Sequence, residues 1–423
     1  MRTRAGYLGS GLALVVALLL AACGGGASAP RAGGSSTAPQ PQGTETLLVG
    51  AALPLTGDLA REGKQQKDGY DLWAETVNAK GGIEAGGKRY LVEMRYYDYK
   101  SDNTQAVKLV EKLITEDRAQ FIFGPFGSGA TLAASAVTDK YEIPMLSPSA
   151  SSESVYQQGR RYLFGLLAPN AAVGQATIDL LFTLPTPPQT LAIISRNDLF
   201  PKAVAQAIES AARARGMETV YFEEYPIGST DLSTPLLAAK ARNPDILVGT
   251  GYTNDLVLMT RQMKELRFSP KATVQTAGPT YASYGEALGA DANYVVSPTW
   301  WAPGSPYTDN GKLFGTAADY ARLFQDKYKY DVDYIAAASA GCGAVLQAAI
   351  EAAGTTDPVR VRDALARLEV NTFYGPIKFN ENGQNIGTGI AIIQIQNGQQ
   401  IAVAPPEAAT GRLIYPMPEW DRR

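Results

Sequence analysis

From Thr46 to Leu266 the chain alternates short β-rich runs with helical runs, and that rhythm restricts the folds open to it. TLLVGAALP ends at Pro54. QQKDGYDLWAETVNA carries apolar residues at helical spacing and stops at Gly81-Gly82, and RYLVEMRYYD alternates like a strand. Asn103 is the expected cap of the helix TQAVKLVEKLITED, and AQFIFG reads as a short buried strand. The pattern then recurs as TLAIIS, PKAVAQAIESAARARG, ETVYFEEY, LSTPLLAAKAR, DILVGT and NDLVLMTRQMKEL. Units of this kind build parallel sheets with right-handed crossovers. Two consecutive blocks predict an α/β protein of two doubly wound parallel-sheet lobes. Ligands in such sheets sit at the carboxyl ends of the strands.

The N-terminal 23 residues follow a different logic. Arg2 and Arg4 precede an apolar run from Leu8 to Leu20, and Leu20-Ala21-Ala22 leads into Cys23. The run is shorter than the roughly 20 residues a bilayer span needs, so residues 1–22 read as an export signal. A cysteine straight after Leu-Ala-Ala is similar to the bacterial lipobox, which implies lipidation at Cys23 and an extracytoplasmic, membrane-anchored protein. Residues 24–46, rich in Gly, Ser, Ala and Pro, then form a solvated tether reaching roughly 25–30 Å. Past the signal, no second long apolar segment is expected. The mature chain is mildly acidic and lacks a basic run, which argues against nucleic acid as a partner.

Residue chemistry narrows the function further. The chain has no histidine, which removes Ser-His-Asp triads, Cys-His dyads and histidine metal sites together. With Cys23 lipidated, Cys342 is the one remaining thiol. It lies in the Ala-rich pattern SAGCGAVLQAAIEAAG, where it reads as a small buried hydrophobe. Gly82 to Lys88 imitates a phosphate-binding loop, but Arg89 stands where a Ser or Thr should hold magnesium, and the segment runs from helix to strand. Close acid pairs such as Asp98/Asp102 and Glu223/Glu224 are what 41 acids produce by chance. A receptor without cofactor or metal is expected, not an enzyme.

The blocks AALPLTGDLAREG, NAKGGIEAGGKRYLVEMRYYDYKSDNTQAVKLVEKLI, FIFGPFGSGAT and IPMLSPSAS resemble a branched-chain-amino-acid-type binding protein. Such proteins are substrate receptors of ABC transporters with the type I periplasmic-binding fold. The resemblance runs from Leu47 to Gly398 and leaves Ile401 to Arg423 unmatched. It implies three hinge crossings near Ala168, Ser297 and Gly389. Lobe one would be 47–167 plus 298–388, and lobe two 168–297 plus 389–423.

The resemblance also implies a site. Ser128, in GPFGSGAT, matches the serine that grips the ligand carboxylate, at a helix start whose free N–H groups suit an anion. Spacing alone would equally make Ser128 a helix cap. Ser149-Ala150-Ser151 matches the second carboxylate-holding loop, with Ser151 in place of the usual threonine. Phe200 and Tyr252 match aromatic walls that cover an apolar ligand. Thr280 stands where amino-acid binders carry a glutamate for the ammonium, and Glu62 replaces an often aromatic wall residue. Of Trp300 and Trp301, adjacent and so facing opposite ways, Trp301 is taken for the cleft. The implied function is capture of a small carboxylate- or amide-bearing solute for an ABC permease. The alternatives are an amino-acid receptor and a lipoprotein regulator of peptidoglycan synthesis with the same fold.

Overall fold

The computed structural model describes residues 44–423. The export signal, Cys23 and the tether up to residue 43 lie outside the described residues.

The first block folds as β1 (Thr44–Leu53), α1 (Ala60–Ala79), β2 (Ile83–Ala85), β3 (Lys88–Asp98), α2 (Asn103–Thr115) and β4 (Phe121–Phe123). It continues with α3 (Ser128–Lys140), β5 (Met145–Ser147), α4 (Glu153–Tyr156) and β6 (Leu163–Gly165). Its sheet has the order β2-β3-β1-β4-β5-β6, parallel except for the β2–β3 hairpin. The second block runs α5 (Asn170–Phe182), β7 (Thr190–Arg196), α6 (Leu199–Ala214), β8 (Glu218–Tyr225) and α7 (Ser233–Ala241). Then come β9 (Ile246–Thr250), α8 (Thr253–Glu265), β10 (Ala272–Thr276), α9 (Ala282–Leu288) and β11 (Val296–Thr299).

The chain now returns to the first sheet's side with α10 (Ala317–Tyr328), α11 (Tyr334–Ala353), α12 (Pro358–Leu365) and the hairpin of β12 (Glu369–Thr372) and β13 (Gly375–Lys378). It finishes on the second sheet with β14 (Ala391–Gln396) and β15 (Gln399–Ala404). That sheet reads β15-β14-β11-β10-β9-β7-β8, and β14 alone runs against the others, antiparallel to both β11 and β15. The passages between sheets fall between β6 and α5, between β11 and α10, and between β13 and β14. Strand order reverses at β1 in one sheet and at β7 in the other, so both switch points open beside the carboxyl ends of buried strands.

Local chemistry sets the helix ends. Asp102, not Asn103, caps α2, its carboxylate accepting from Thr104 N–H at 2.8 Å. Thr316 and Asp319 form a capping box on α10. Contrary to the sequence expectation, α11 is long and apolar enough to cross a membrane. Here it is a core helix laid along α1. A Cβ at Gly343 would clash with the Trp73 indole, and one at Gly69 with the Ala336 carbonyl, so the two glycines permit the close approach. Cys342 is buried on this helix, and burial pushes its thiol pKa up.

Candidate functional site

Ser128, Ser149, Ala150, Ser151, Phe200, Tyr252, Thr280 and Trp301 follow the carboxyl ends of strands, whereas Glu62 lies on α1. β4 gives way to Gly124-Pro125-Phe126-Gly127, and Gly127 turns the chain at φ +85° before α3 begins. Gly127 holds the cap position and Ser128 is the first helical residue, so Ser128 is not the cap. The Ser128 hydroxyl is buried and accepts from Ser152 N–H at 3.4 Å. Ser149 accepts from Gly127 N–H at 3.0 Å and donates to the Pro125 carbonyl at 3.3 Å. It is a brace that locks the two loops together. The carbonyls of Ala150 and Ser151 are fixed in turn by Tyr156 O–H at 2.7 Å and the Gln384 amide at 2.9 Å. With its backbone pinned, Ser151 keeps a fully buried Oγ that has no hydrogen-bond partner among the described residues. A buried hydroxyl left bare costs free energy, which a ligand oxygen would recover.

Six aromatic rings form a row across the junction of the two sheets. Phe126 meets Tyr252 at 5.7 Å between centroids, Tyr252 stacks on Phe200 at 5.9 Å, and Phe200 meets Trp300 at 6.1 Å. Trp300 then contacts Tyr334 at 5.0 Å, which stacks on Tyr281 at 5.8 Å. Separations of this size are favourable for aromatic pairs. The row corrects one expectation. Trp301 packs edge-on against Tyr320 at 6.0 Å and donates to the Phe373 carbonyl, so it belongs to the core beneath α10. Trp300 is the tryptophan in the row, anchored by its own N–H to the Ala168 carbonyl at 2.9 Å. Thr280 is buried, but its hydroxyl donates to Ala277 O at 2.5 Å within its own turn.

Glu62 does not face solvent. It is buried on α1, and its carboxylate accepts from the Thr253 hydroxyl at 2.7 Å and from Thr253 N–H at 3.4 Å. Thr253 opens α8, so an anion sits on the positive end of that helix. Burial nonetheless pushes the Glu62 pKa above the usual carboxylate range. A second crossing lies beside it. Arg196 pairs with Asp255 at 2.9 Å on its own side and with Asp58 at 2.9 Å on the other. Asn254 donates to the Asp58 backbone carbonyl at 3.2 Å and to its carboxylate at 3.3 Å. Burial opposes the Arg196 charge, but the carboxylates of Asp255 and Asp58 outweigh it and hold its pKa up.

Sequence reasoning missed Arg196, Asp58, Thr253, Tyr281, Tyr334 and Asp333. Arg196 carried a signal, a cation closing the apolar strand TLAIISR. Asp333 carried none that distinguishes it from an ordinary cap before the Ala-rich helix.

Two α/β halves, joined by three passages and facing each other across paired strand ends, define a bilobal binding protein of the type I periplasmic-binding fold. The chain belongs to the periplasmic binding protein family, whose model matches residues 46–400. Among curated relatives it is 26% identical over 389 residues to Leu/Ile/Val-binding protein homolog 7 of Brucella abortus, covering 88% of this chain and 94% of that one. Homolog 8 of the same organism is also 26% identical, over 87% of this chain and 93% of its own.

Two solved structures share the fold. The branched-chain amino acid transporter substrate-binding protein LivJ of Streptococcus pneumoniae, in complex with isoleucine, has a TM-score of 0.75 at 21% identity. The match covers 88% of this chain and 100% of LivJ. An ABC transporter solute-binding protein of R. palustris, in complex with benzoate, has a TM-score of 0.74 at 18% identity, covering 86% and 96%.

Proposed function

We propose that this protein is the extracytoplasmic receptor of an ABC importer, capturing a small carboxylate- or amide-bearing solute between two closing lobes. Lobe one would comprise 47–167 plus 298–388, and lobe two 168–297 plus 389–423. Ligand binding would shift the population toward the closed form that the permease recognises. The solute is released unchanged, and no cofactor takes part. Family membership supports the receptor role, and the isoleucine and benzoate held by proteins of the same fold are both carboxylates.

The observation that carries the ligand class is the bare Oγ of Ser151, buried on a pinned backbone next to Ser128 and the start of α3. Together these groups suit one oxyanion or amide carbonyl, and Phe200, Tyr252 and Trp300 suit an apolar body beside it. A hydrogen bond to a charged group is worth about 1.5–3 kcal/mol, so Ser151→Ala should weaken carboxylate binding roughly 10- to 150-fold. Calorimetry against aliphatic and aromatic carboxylates and amides tests this. Equal affinity in Ser151→Ala and Ser128→Ala, with melting unchanged, would place the anion elsewhere. The lipid anchor at Cys23 is part of the same reading. Replacing Cys23 by Ala should move the protein from the membrane fraction to the soluble one, and retention at the membrane would refute the anchor.

A further inference from the structure

The amino edge of the first sheet, opposite the cleft, holds a pocket that solute capture does not use. Its volume is about 240 Å³, and Arg160, Arg161, Arg362, Asn380, Glu381 and Asn382 are among its walls. The topology brings them together. Arg160 and Arg161 lead into β6, Arg362 stands on α12, and the turn 380–383 lies against β6. That turn is fixed in place. The Gly383 carbonyl accepts from Gly165 N–H at 2.8 Å, and Asn380 Oδ1 accepts from the N–H groups of Asn382 and Gln384, both at 3.0 Å.

The three guanidinium groups are poorly matched by acids of the protein. Arg362 meets Asp363 at 2.9 Å through one nitrogen, and Arg160 stands 3.9 Å from Asp139. The Asp139 carboxylate is itself engaged, accepting from the backbone N–H groups of Arg161 at 2.7 Å and Tyr162 at 3.3 Å. The Arg161 side chain makes no ion pair among the described residues. Arg160 and Arg362 each keep a buried Nε with no partner among the described residues. Glu381 is the one carboxylate in the pocket wall, and it is exposed. The Arg362 guanidinium lies over the Tyr162 ring at 5.4 Å, which orients it. A guanidinium fork matches two phosphate oxygens at once, and a buried donor without an acceptor costs free energy. The pocket therefore suits a tetrahedral oxyanion.

Its position narrows the source of that anion. Leu163, Met145, Ile122 and Gly50 stand level across β6, β5, β4 and β1, so Arg160 and Arg161 lie at the edge where Thr44 begins β1. Three strand spacings, about 15 Å, separate β6 from β1. A lipid on Cys23 would keep this edge within reach of a membrane surface.

We propose that Arg160, Arg161 and Arg362 bind the phosphate of an anionic phospholipid headgroup, seating the amino edge of the first sheet on the membrane. The cleft, at the carboxyl edge, then points away from the bilayer and stays open to solute. The site goes beyond the receptor reading and holds whichever solute the cleft takes. The anchor enters only in choosing lipid over free phosphate.

The test is flotation of the full chain carrying Cys23→Ala with vesicles of phosphatidylcholine, alone or mixed with phosphatidylglycerol. All variants share that background, so whatever residues 1–43 contribute is common to them. The chain should bind the mixed vesicles more tightly. Each of Arg160→Gln, Arg161→Gln and Arg362→Gln should weaken that binding about fivefold at low ionic strength. Arg322→Gln, an exposed arginine on α10, should change nothing. Melting curves report folding, and the exposed Arg161 keeps the test open should either of the other two variants fail to fold. Inorganic phosphate, titrated by calorimetry, separates the sources. Phosphate bound by the parent chain and lost in the variants, with no preference for mixed vesicles, would overturn the lipid assignment. Equal vesicle binding by all variants, or an equal loss in Arg322→Gln, would overturn the site itself. Either result leaves the receptor reading standing, because the pocket lies at the far edge from the cleft.

Discussion

Ser149, Ser151 and Asp333 are small polar side chains at strand ends or helix starts, and the difference between them is what their second atom meets. Ser149 spends its hydroxyl on two loop contacts, whereas Ser151 and Asp333 each keep one buried atom without a partner among the described residues. For Asp333 that has a consequence in the unliganded protein. Burial, aided by the Glu62 charge, pushes its pKa up to about 7, against roughly 3.9 in an unfolded chain. The folded state therefore binds the proton more tightly than the unfolded state does. Its contribution to stability is complete below about pH 4 and is lost as the pH rises through 7. Among the described residues, the groups around it, Glu62, Asp68 and the hydroxyls of Tyr281, Tyr320, Tyr330 and Tyr334, include no cation to reverse that sign. Melting temperatures between pH 5 and pH 8 should fall more steeply for the wild type than for Asp333→Asn. Parallel curves would show that the carboxyl stays charged throughout. None of this was legible beforehand, because an Asp before an Ala-rich helix reads the same whether its second oxygen is solvated or bare. Ser128, Ser151, Phe200 and Tyr252 stand out in the sequence because whole blocks around them resemble a family, not because a lone Ser or Phe announces a pocket.

Elements were far more legible than contacts. Helical spacing in QQKDGYDLWAETVNA and alternation in RYLVEMRYYD depend on which face is buried, and burial of one face is what folds α1 and β3. Where the reading slipped, the cause was local. Asp102 and Asn103 can both cap a helix, and the choice fell to the residue whose extended backbone lets its carboxylate reach Thr104 N–H. Trp300 and Trp301 follow β11 and meet different partners, and adjacency in sequence cannot say which way each one faces. That was decided by partners distant in sequence, Ala168 for one indole and Phe373 for the other. The span-like character of α11 has a similar origin. A helix packed along α1 through Gly69 and Gly343, with α12 on another flank, must be apolar nearly all round, as a membrane helix is.

At the scale of the molecule, two of the polar contacts between the halves, besides the aromatic row, are unequal clasps. Arg196 and Asp255 are both buried on one side and remain paired whatever the other half does. Asp58 comes from the opposite side with its side chain 43% exposed, so its bonds to Arg196 and Asn254 are those that opening would break. Exposed ion pairs are worth about 0–1 kcal/mol and are screened by salt. Glu62 is buried, and its bonds to Thr253 are made to a charged group, worth about 1.5–3 kcal/mol. Most of the free energy of closure from these contacts should therefore rest on Glu62. Small-angle X-ray scattering of the ligand-free protein should show a larger radius of gyration for Glu62→Ala than for the wild type. Asp58→Asn should stay close to the wild type and differ from it mainly at low ionic strength. The reverse ranking would mean that the exposed Asp58 arm carries closure. Glu62 would then be free to serve the ligand alone, and its substitution should alter affinity without altering shape.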